Sequence, residues 1–388
     1  MKTKLFLFLV LLTKVLSMAI PNEDTVEIES TITPATATRA GSSTPGMVVY
    51  LPNYTLGSTI ELEKFDFTYI DVVIYCFFRL DSEGNAYSIN ESVDFKHQTM
   101  EKLNTTIKKK YPKLRTILSF GGDSGSKNLG TVLSTDERIK AASKSIANTM
   151  KKYGFDGIDI DWEFPKTEVE CENLYKFIKK IRSYIGDTKL LTLSSSATAS
   201  KYKGHLGSYV KYVDWFNVMT YNYAGEWNKV SGHNDPLYTF TDDLNKQKSV
   251  DTTVSDYEAE GVPDSKIVIG ASFSGKIWKV NSSDKNGLNQ AGSFVGPINY
   301  KNIRTENILS SARTPVSPWV RTWYNDVKSP TLYNKITKQY ITYCDTDAVC
   351  ERAAYAKKRK LGGLMVWELG QDYNRELINS AIYCFIKY

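Results

Sequence analysis

From Met47 to Phe385 the chain repeats one pattern, a short apolar run followed by a stretch with apolar residues at helical spacing. Runs of strand length fall at Met47–Leu51, Ile70–Phe78, Leu114–Phe120, Gly157–Glu163, Leu190–Ser195, Val213–Tyr221, Ile267–Phe273 and Gly363–Trp367. Between them, Ile139, Ala142, Ile146 and Met150 mark one helix that stops at Gly154, and Leu174, Phe177, Ile178 and Ile181 mark another. Strands alternating with helices predict a parallel sheet, and eight of them predict an α/β chain closed into a (β/α)8 TIM barrel. An open doubly wound sheet is the architectural alternative.

One run carries charge where a packed strand normally has none. In Asp156-Gly157-Ile158-Asp159-Ile160-Asp161-Trp162-Glu163, acids at 159, 161 and 163 alternate with Ile158, Ile160 and Trp162. Successive strand side chains point to opposite faces, so three carboxylates line one face at intervals of roughly 6–7 Å. Like charges that close oppose simultaneous ionisation, which raises a pKa and leaves a protonated acid near neutral pH. Glu163 is the natural donor, because barrel active sites lie at the C-terminal ends of the strands. The plainer reading is a half-solvated edge strand; Gly157 and the apolar partners favour a packed one.

Other strand ends are chemically loaded as well, with Tyr50, Phe77, Ser119-Phe120-Gly121-Gly122, Tyr221-Asn222 and Trp367-Glu368. Aromatic rings beside polar groups suit sugars, whose apolar faces stack and whose hydroxyls need hydrogen-bond partners.

Lys2 and Lys4 precede the apolar run Leu5–Leu12, and Ser17-Met18-Ala19 offers small residues for a signal peptidase, so residues 1–19 read as a signal peptide. The run is too short to span a membrane. Residues 20–45, rich in Thr, Ser, Pro and Ala, read as a flexible linker before a domain at 46–388. Secretion to the medium or cell wall follows, as a soluble monomer without membrane attachment. The formal charge of +6 includes the leader's Lys2, Lys4 and Lys14 and is too weak to argue for nucleic acid. Three histidines, His97, His205 and His233, lack metal-ligand spacing, so no metal and no cofactor is expected. Five cysteines leave at least one unpaired; Cys344 and Cys350 are close enough in sequence for a local disulfide, and Cys76 reads as a buried thiol. Sequons at Asn53, Asn90, Asn104 and Asn281 permit glycosylation in a eukaryote.

The motifs resemble a family. Asp156 to Glu163 is similar to the Asp-x-x-Asp-x-Asp-x-Glu signature of the family 18 glycoside hydrolases, the chitinases, and Ser119 to Gly122 to their Ser-x-Gly-Gly motif. Met219-Thr220-Tyr221, Gly225-Glu226-Trp227, Gly232-His233-Asn234 and Gly362 to Glu368 follow in the order that resemblance requires. It implies retaining hydrolysis of β-1,4-linked N-acetylglucosamine in chitin or chitooligosaccharides, with the substrate's own acetamido oxygen as nucleophile. Glu163 would protonate the leaving oxygen, Asp161 would orient the acetamido group, Asp159 would share and hold a proton, and Tyr221 would hold the acetamido oxygen in line. Trp367 would floor the sugar subsite, and Tyr50, Phe77, Gly122, Phe164, Met219, Asn222 and Trp227 would line it. Ser119 and Asp156 would support the acids.

Departures from the family pattern bear on specificity. Asn222 stands where many members have Asp, which predicts a lower proton affinity at Glu163 and a pH optimum shifted downward. Asp123 replaces a tryptophan after the glycine pair, so one aromatic platform on the leaving-group side is missing. Phe273 to Trp278 replaces the common Tyr-Gly-Arg. The resemblance also implies a small α+β insertion between strands seven and eight, at about 279–341, with Trp319 and Trp323 in its own core or in a cleft wall. An endo-β-N-acetylglucosaminidase acting on glycoprotein glycans and a lectin on the same fold are the alternatives; the presence of Glu163, Asp161 and Tyr221 speaks against the lectin.

Overall fold

The structure, a computed structural model, describes residues 44–58 and 60–387. The expected leader, and the expected linker up to residue 43, lie outside the described residues.

Eight parallel strands close into a barrel: β1 (Gly46–Pro52), β2 (Val72–Leu80), β4 (Arg115–Gly121), β5 (Gly157–Asp161), β6 (Leu190–Ser196), β7 (Trp215–Met219), β8 (Ile267–Ser272) and β14 (Gly363–Trp367), with the short β3 (Ala86–Ser88) antiparallel beside β2. Closure comes from β1, which pairs with β14 on one side and β2 on the other. The alternation read in the sequence divides the core in two. Met47, Val49 and Leu51 of β1, Val73 and Tyr75 of β2, and Ile158 and Ile160 of β5 pack outward against the helices. Val48, Tyr50, Val72, Ile74 and Cys76 point inward and meet Ile117, Trp215, Tyr221, Val268 and Met365 inside the barrel. Strand polarity therefore decides which residues can reach a site at the barrel's mouth.

The outer helices follow the spacing of the apolar residues. Asp136–Lys152 starts at Thr135, whose hydroxyl accepts the Arg138 N–H, and buries Ile139, Ala142, Ile146 and Met150. Glu168–Ile185 opens with a reciprocal capping box between Thr167 and Glu170 and buries Leu174, Phe177, Ile178 and Ile181. Each aliphatic side chain so buried contributes about 1.5–3 kcal/mol.

The expected strands ending at Glu163 and Tyr221 stop two residues earlier, at Asp161 and Met219. At Asp161 the sheet runs out of partner: the Asp161 carbonyl accepts the Gly122 N–H at 2.9 Å, and the Glu163 N–H goes to the Ser126 side chain. The third acid is placed by a loop rather than by the sheet ladder.

Between barrel strands β8 and β14 the insertion forms a five-stranded antiparallel sheet from β9 (Ser274–Val280), β10 (Gly292–Asn299), β11 (Trp319–Tyr324), β12 (Ser329–Asn334) and β13 (Gln339–Thr342). It begins at Ser274, because β9 follows β8 after the single residue Phe273. Trp278, Val280, Leu288, Tyr333 and Tyr340 form a core with Ala224 from the barrel side. Trp319 and Trp323 are half-buried and pack against the main core.

The local disulfide expected between Cys344 and Cys350 does not form. Cys350, on the helix Thr346–Lys358, instead bonds Cys384 on the C-terminal helix Glu376–Lys387. Cys344 precedes that helix and is buried as a free thiol among Asp235, Asp345 and Arg352, while the helix carries Cys350 to Cys384. Cys76 is buried and free.

Candidate active site

Asp159 sits at the centre of the barrel, wholly buried, among donors from four strands. Its Oδ1 accepts Thr192 Oγ1 at 2.6 Å and Asn217 Nδ2 at 3.4 Å; its Oδ2 accepts Ser119 Oγ at 2.7 Å and lies within reach of Ser194 Oγ at 2.9 Å and the Tyr50 hydroxyl at 3.2 Å. Tyr50 and Ser194 are also 2.5 Å apart, so one of them donates to the other. Burial raises the Asp159 pKa above the ordinary value, and the hydroxyl donors oppose that rise. Both oxygens have partners, and the Tyr50 and Ser194 hydroxyls at Oδ2 can accept as well as donate.

Asp161 is its opposite. It is 2 % exposed, and its Oδ1 has no hydrogen-bond partner. Burial, then the nearby Glu163, Asp159 and Asp123 carboxylates, hold its pKa well above the usual range. Both acids are thus pushed toward the protonated form.

Glu163 is half-buried, with its pKa raised to about 7 by burial and then by the Asp123 charge, while Lys201 and an N–H from Asp123 pull it back. Its backbone N–H donates to Ser126 Oγ at 2.7 Å, and Ser126 Oγ lies 2.8 Å from the Gly122 carbonyl and 3.1 Å from that of Asp161. The glycines make this approach possible. A Cβ on Gly121, at φ 125°, would lie 2.0 Å from the Asp161 carbonyl oxygen, and one on Gly122, at φ 77°, would lie 2.9 Å from the Phe77 ring.

The aromatic residues gather above the acids. Trp367 lies 5.4 Å from Tyr50 and 5.8 Å from Phe77, centroid to centroid, and Met219 packs with them in the same inner cluster. Tyr221 joins that cluster, and its neutral phenol is favoured by burial and then by the charges of Glu163 and Asp161. Phe164, next to Glu163, carries the Lys201 ammonium 4.1 Å from its ring centroid. Peptide bonds Cys76–Phe77, Glu163–Phe164 and Trp367–Glu368 are cis.

Three sequence-predicted residues stand apart from this cluster. Asp156 lies at the other end of β5, where it accepts Thr116 N–H at 2.8 Å and pairs with Lys108 at 2.6 Å, so it fastens β4 to β5 instead of supporting the acids. Trp227 is 62 % exposed, its ring laid over Gly225. Asn222 is exposed at φ 58°.

Thr192, Ser194, Asn217, Ser126 and Lys201 were not singled out in the sequence. Thr192 and Ser194 alternate with Leu191 and Leu193 just as the acids alternate with isoleucine, and register sets Thr192 and Ser119 on either side of Asp159. Polar residues at inward positions on neighbouring strands are the signal that would find them. Among the described residues no cluster of His, Cys, Asp and Glu could hold a metal ion, and no helix is long and apolar enough to cross a membrane.

Residues 47–372 match the family described as Glycosyl hydrolases family 18. Endochitinase 1 of Metarhizium robertsii is 31% identical over 352 residues, covering 84% of this chain and 81% of its own. Among solved structures, a family 18 N-acetylglucosaminidase from Paenibacillus barengoltzii superposes with a TM-score of 0.77 at 25% identity, covering 87% of this chain and 99% of its own. A class V chitinase mutant from Nicotiana tobaccum in complex with NAG4 has the same fold, with a TM-score of 0.77 at 21% identity and coverage of 87% and 98%.

Proposed function

The chain belongs to family 18 of the glycosyl hydrolases, and we propose that it cleaves its substrate by retaining, acetamido-assisted hydrolysis with Glu163 as the proton donor. It is a glycoside hydrolase, a chitinase acting on chitin and chitooligosaccharides.

In the first step Glu163 gives its proton to the glycosidic oxygen as the bond from C1 breaks. The acetamido oxygen of the same sugar closes on C1 to form an oxazolinium ion, so no protein carboxylate is needed as a nucleophile. Asp161 takes the acetamido N–H and stabilises the positive charge as it develops. Asp159 takes the proton that the two acids share, which leaves Asp161 as the carboxylate facing the developing charge. The Tyr221 hydroxyl holds the acetamido oxygen in line over Trp367. In the second step the Glu163 carboxylate takes a proton from water, which attacks C1 from the side of the departed group. Configuration is retained, and Glu163 recovers its proton.

The observation that carries this reading is the inequality of three neighbouring acids. Asp159 is occupied by donors on both oxygens, Asp161 keeps one oxygen bare, and Glu163 is poised at about 7 beside them. Groups pushed apart in this way are the expected form of an acid and base division. We propose secretion as well, on the leader pattern and on the Cys350–Cys384 disulfide, which suits an oxidising compartment. The single chain carries the site, which is in keeping with a monomer.

Glu163→Gln should lower hydrolysis of N-acetylglucosamine oligomers by about 10²- to 10⁴-fold and still bind them in calorimetry. Chitobiose released from oligomers supports the chitinase reading. Release of glycans from a glycoprotein without chitobiose would replace it with the endo-β-N-acetylglucosaminidase, and an active Glu163→Gln would remove the assigned donor.

A further inference from the structure

The loop after β4 does more than close the strand. Gly122 N–H bonds the Asp161 carbonyl at 2.9 Å, and Ser126 Oγ takes the Glu163 N–H at 2.7 Å. Between those two anchors the chain turns tightly enough that a Cβ on Gly125 would lie 2.0 Å from the Gly121 carbonyl oxygen. Residue 123 is thereby fixed against the proton donor, and it is an aspartate. Its carboxylate is exposed at the rim beside Glu163.

We propose that Asp123 is a positioning residue for Glu163: the two anchors hold it at the rim beside the donor, where its negative charge acts on the Glu163 carboxyl in opposition to Lys201. The proposal rests on Glu163 being the proton donor. Lys201 comes from the other side, in the short 3-10 turn Ala199–Tyr202 after β6. Its ammonium lies 4.1 Å from the centroid of Phe164, and the turn is fixed by the buried Tyr202, whose hydroxyl accepts the Ser196 N–H at 2.9 Å. The ionisable groups around Glu163 are thus Asp161 at the end of β5, Asp123 after β4, Lys201 after β6 and Tyr221 after β7. Tyr221 stays neutral and burial holds Asp161 toward its protonated form, which leaves Asp123 and Lys201 as the opposed charges. Asn222, exposed and uncharged, supplies none, so the negative charge beside the donor comes from the loop after β4 and not from the residue after Tyr221.

The signs are opposite and can be measured. A like charge raises the donor's pKa, so removing it moves loss of activity to lower pH; removing the cation moves it to higher pH. The test is kcat/KM against pH on a soluble chitooligosaccharide for the native chain, Asp123→Asn, Asp123→Glu, Lys201→Met and Glu163→Gln. Asp123→Asn keeps the main-chain N–H and the side-chain size. Its alkaline limb should fall by about half a unit to one unit, the charge being exposed and screened. Asp123→Glu should restore the limb, and Lys201→Met should displace it upward. An Asp123→Asn profile lowered evenly at every pH, or a limb that does not move, would overturn the proposal. Activity surviving in Glu163→Gln would instead remove the donor reading on which it rests.

Discussion

Ser126 Oγ accepts the backbone N–H of Glu163 at 2.7 Å, from a residue thirty-seven positions earlier in the chain. This contact does the work that a further rung of the β4–β5 ladder would otherwise do. Ser126→Ala leaves that half-buried N–H without its partner, at a cost of about 1–3 kcal/mol. The expected result is a lower melting temperature and a fall mainly in kcat, because the donor loses its position while the aromatic floor remains. Unchanged kcat with raised KM would count against it.

Asp159 and Asp161 should separate stability from activity. Asp159→Asn turns an acceptor on four or more donors into a group that must itself donate, and each donor left unpaired costs about 1–3 kcal/mol. Denaturant unfolding should show a clear loss. Asp161→Asn has no such network to break, since Asp161 Oδ1 has no partner. It should abolish most activity and leave the unfolding midpoint at pH 7 at or above that of the native chain.

The pH dependence follows from the same groups. Glu163 is raised from 4.5 to about 7, so the protonated donor persists to near neutrality and kcat/KM should decline as pH rises through about 7. For stability the sign is equally fixed. A carboxyl whose folded pKa lies above its unfolded value binds its proton more tightly when folded, so stability is lost as pH climbs from about 4.5 to about 7. Glu368, buried and also raised to about 7, adds to the same trend. Melting temperatures measured from pH 4 to 8 should fall in that window.

Cys350–Cys384 spans 34 residues and joins the last two long helices. Replacing both cysteines by serine should lower stability by about 2–4 kcal/mol. Activity at 25 °C should be unchanged, since neither residue approaches the acids. A loss of activity without loss of stability would contradict this.

The barrel was legible because alternation in the strands and helical spacing between them are local properties. Tyr50, Phe77, Tyr221 and Trp367 could be placed together for the same reason: each falls toward the C-terminal end of a barrel strand or just past it, and all four meet in the inner cluster. Asp156 was misplaced, although it belongs to the same run, because the register puts it three residues below Asp159, at the opposite end of the barrel. Ser126 and Lys201 are set by loops that meet Glu163 only after the sheet has closed, so nothing periodic announces them. The disulfide shows the same limit: Cys344 is six residues from Cys350, yet the helix direction brings Cys350 to Cys384.

The most direct test of the mechanism compares two oligomers of equal length, one fully N-acetylated and one fully de-N-acetylated, under identical conditions. Acetamido participation predicts rapid cleavage of the first and no measurable cleavage of the second, even at concentrations that saturate binding. Rapid cleavage of the second would contradict it, because the nucleophile would then be a carboxylate of the protein or water itself.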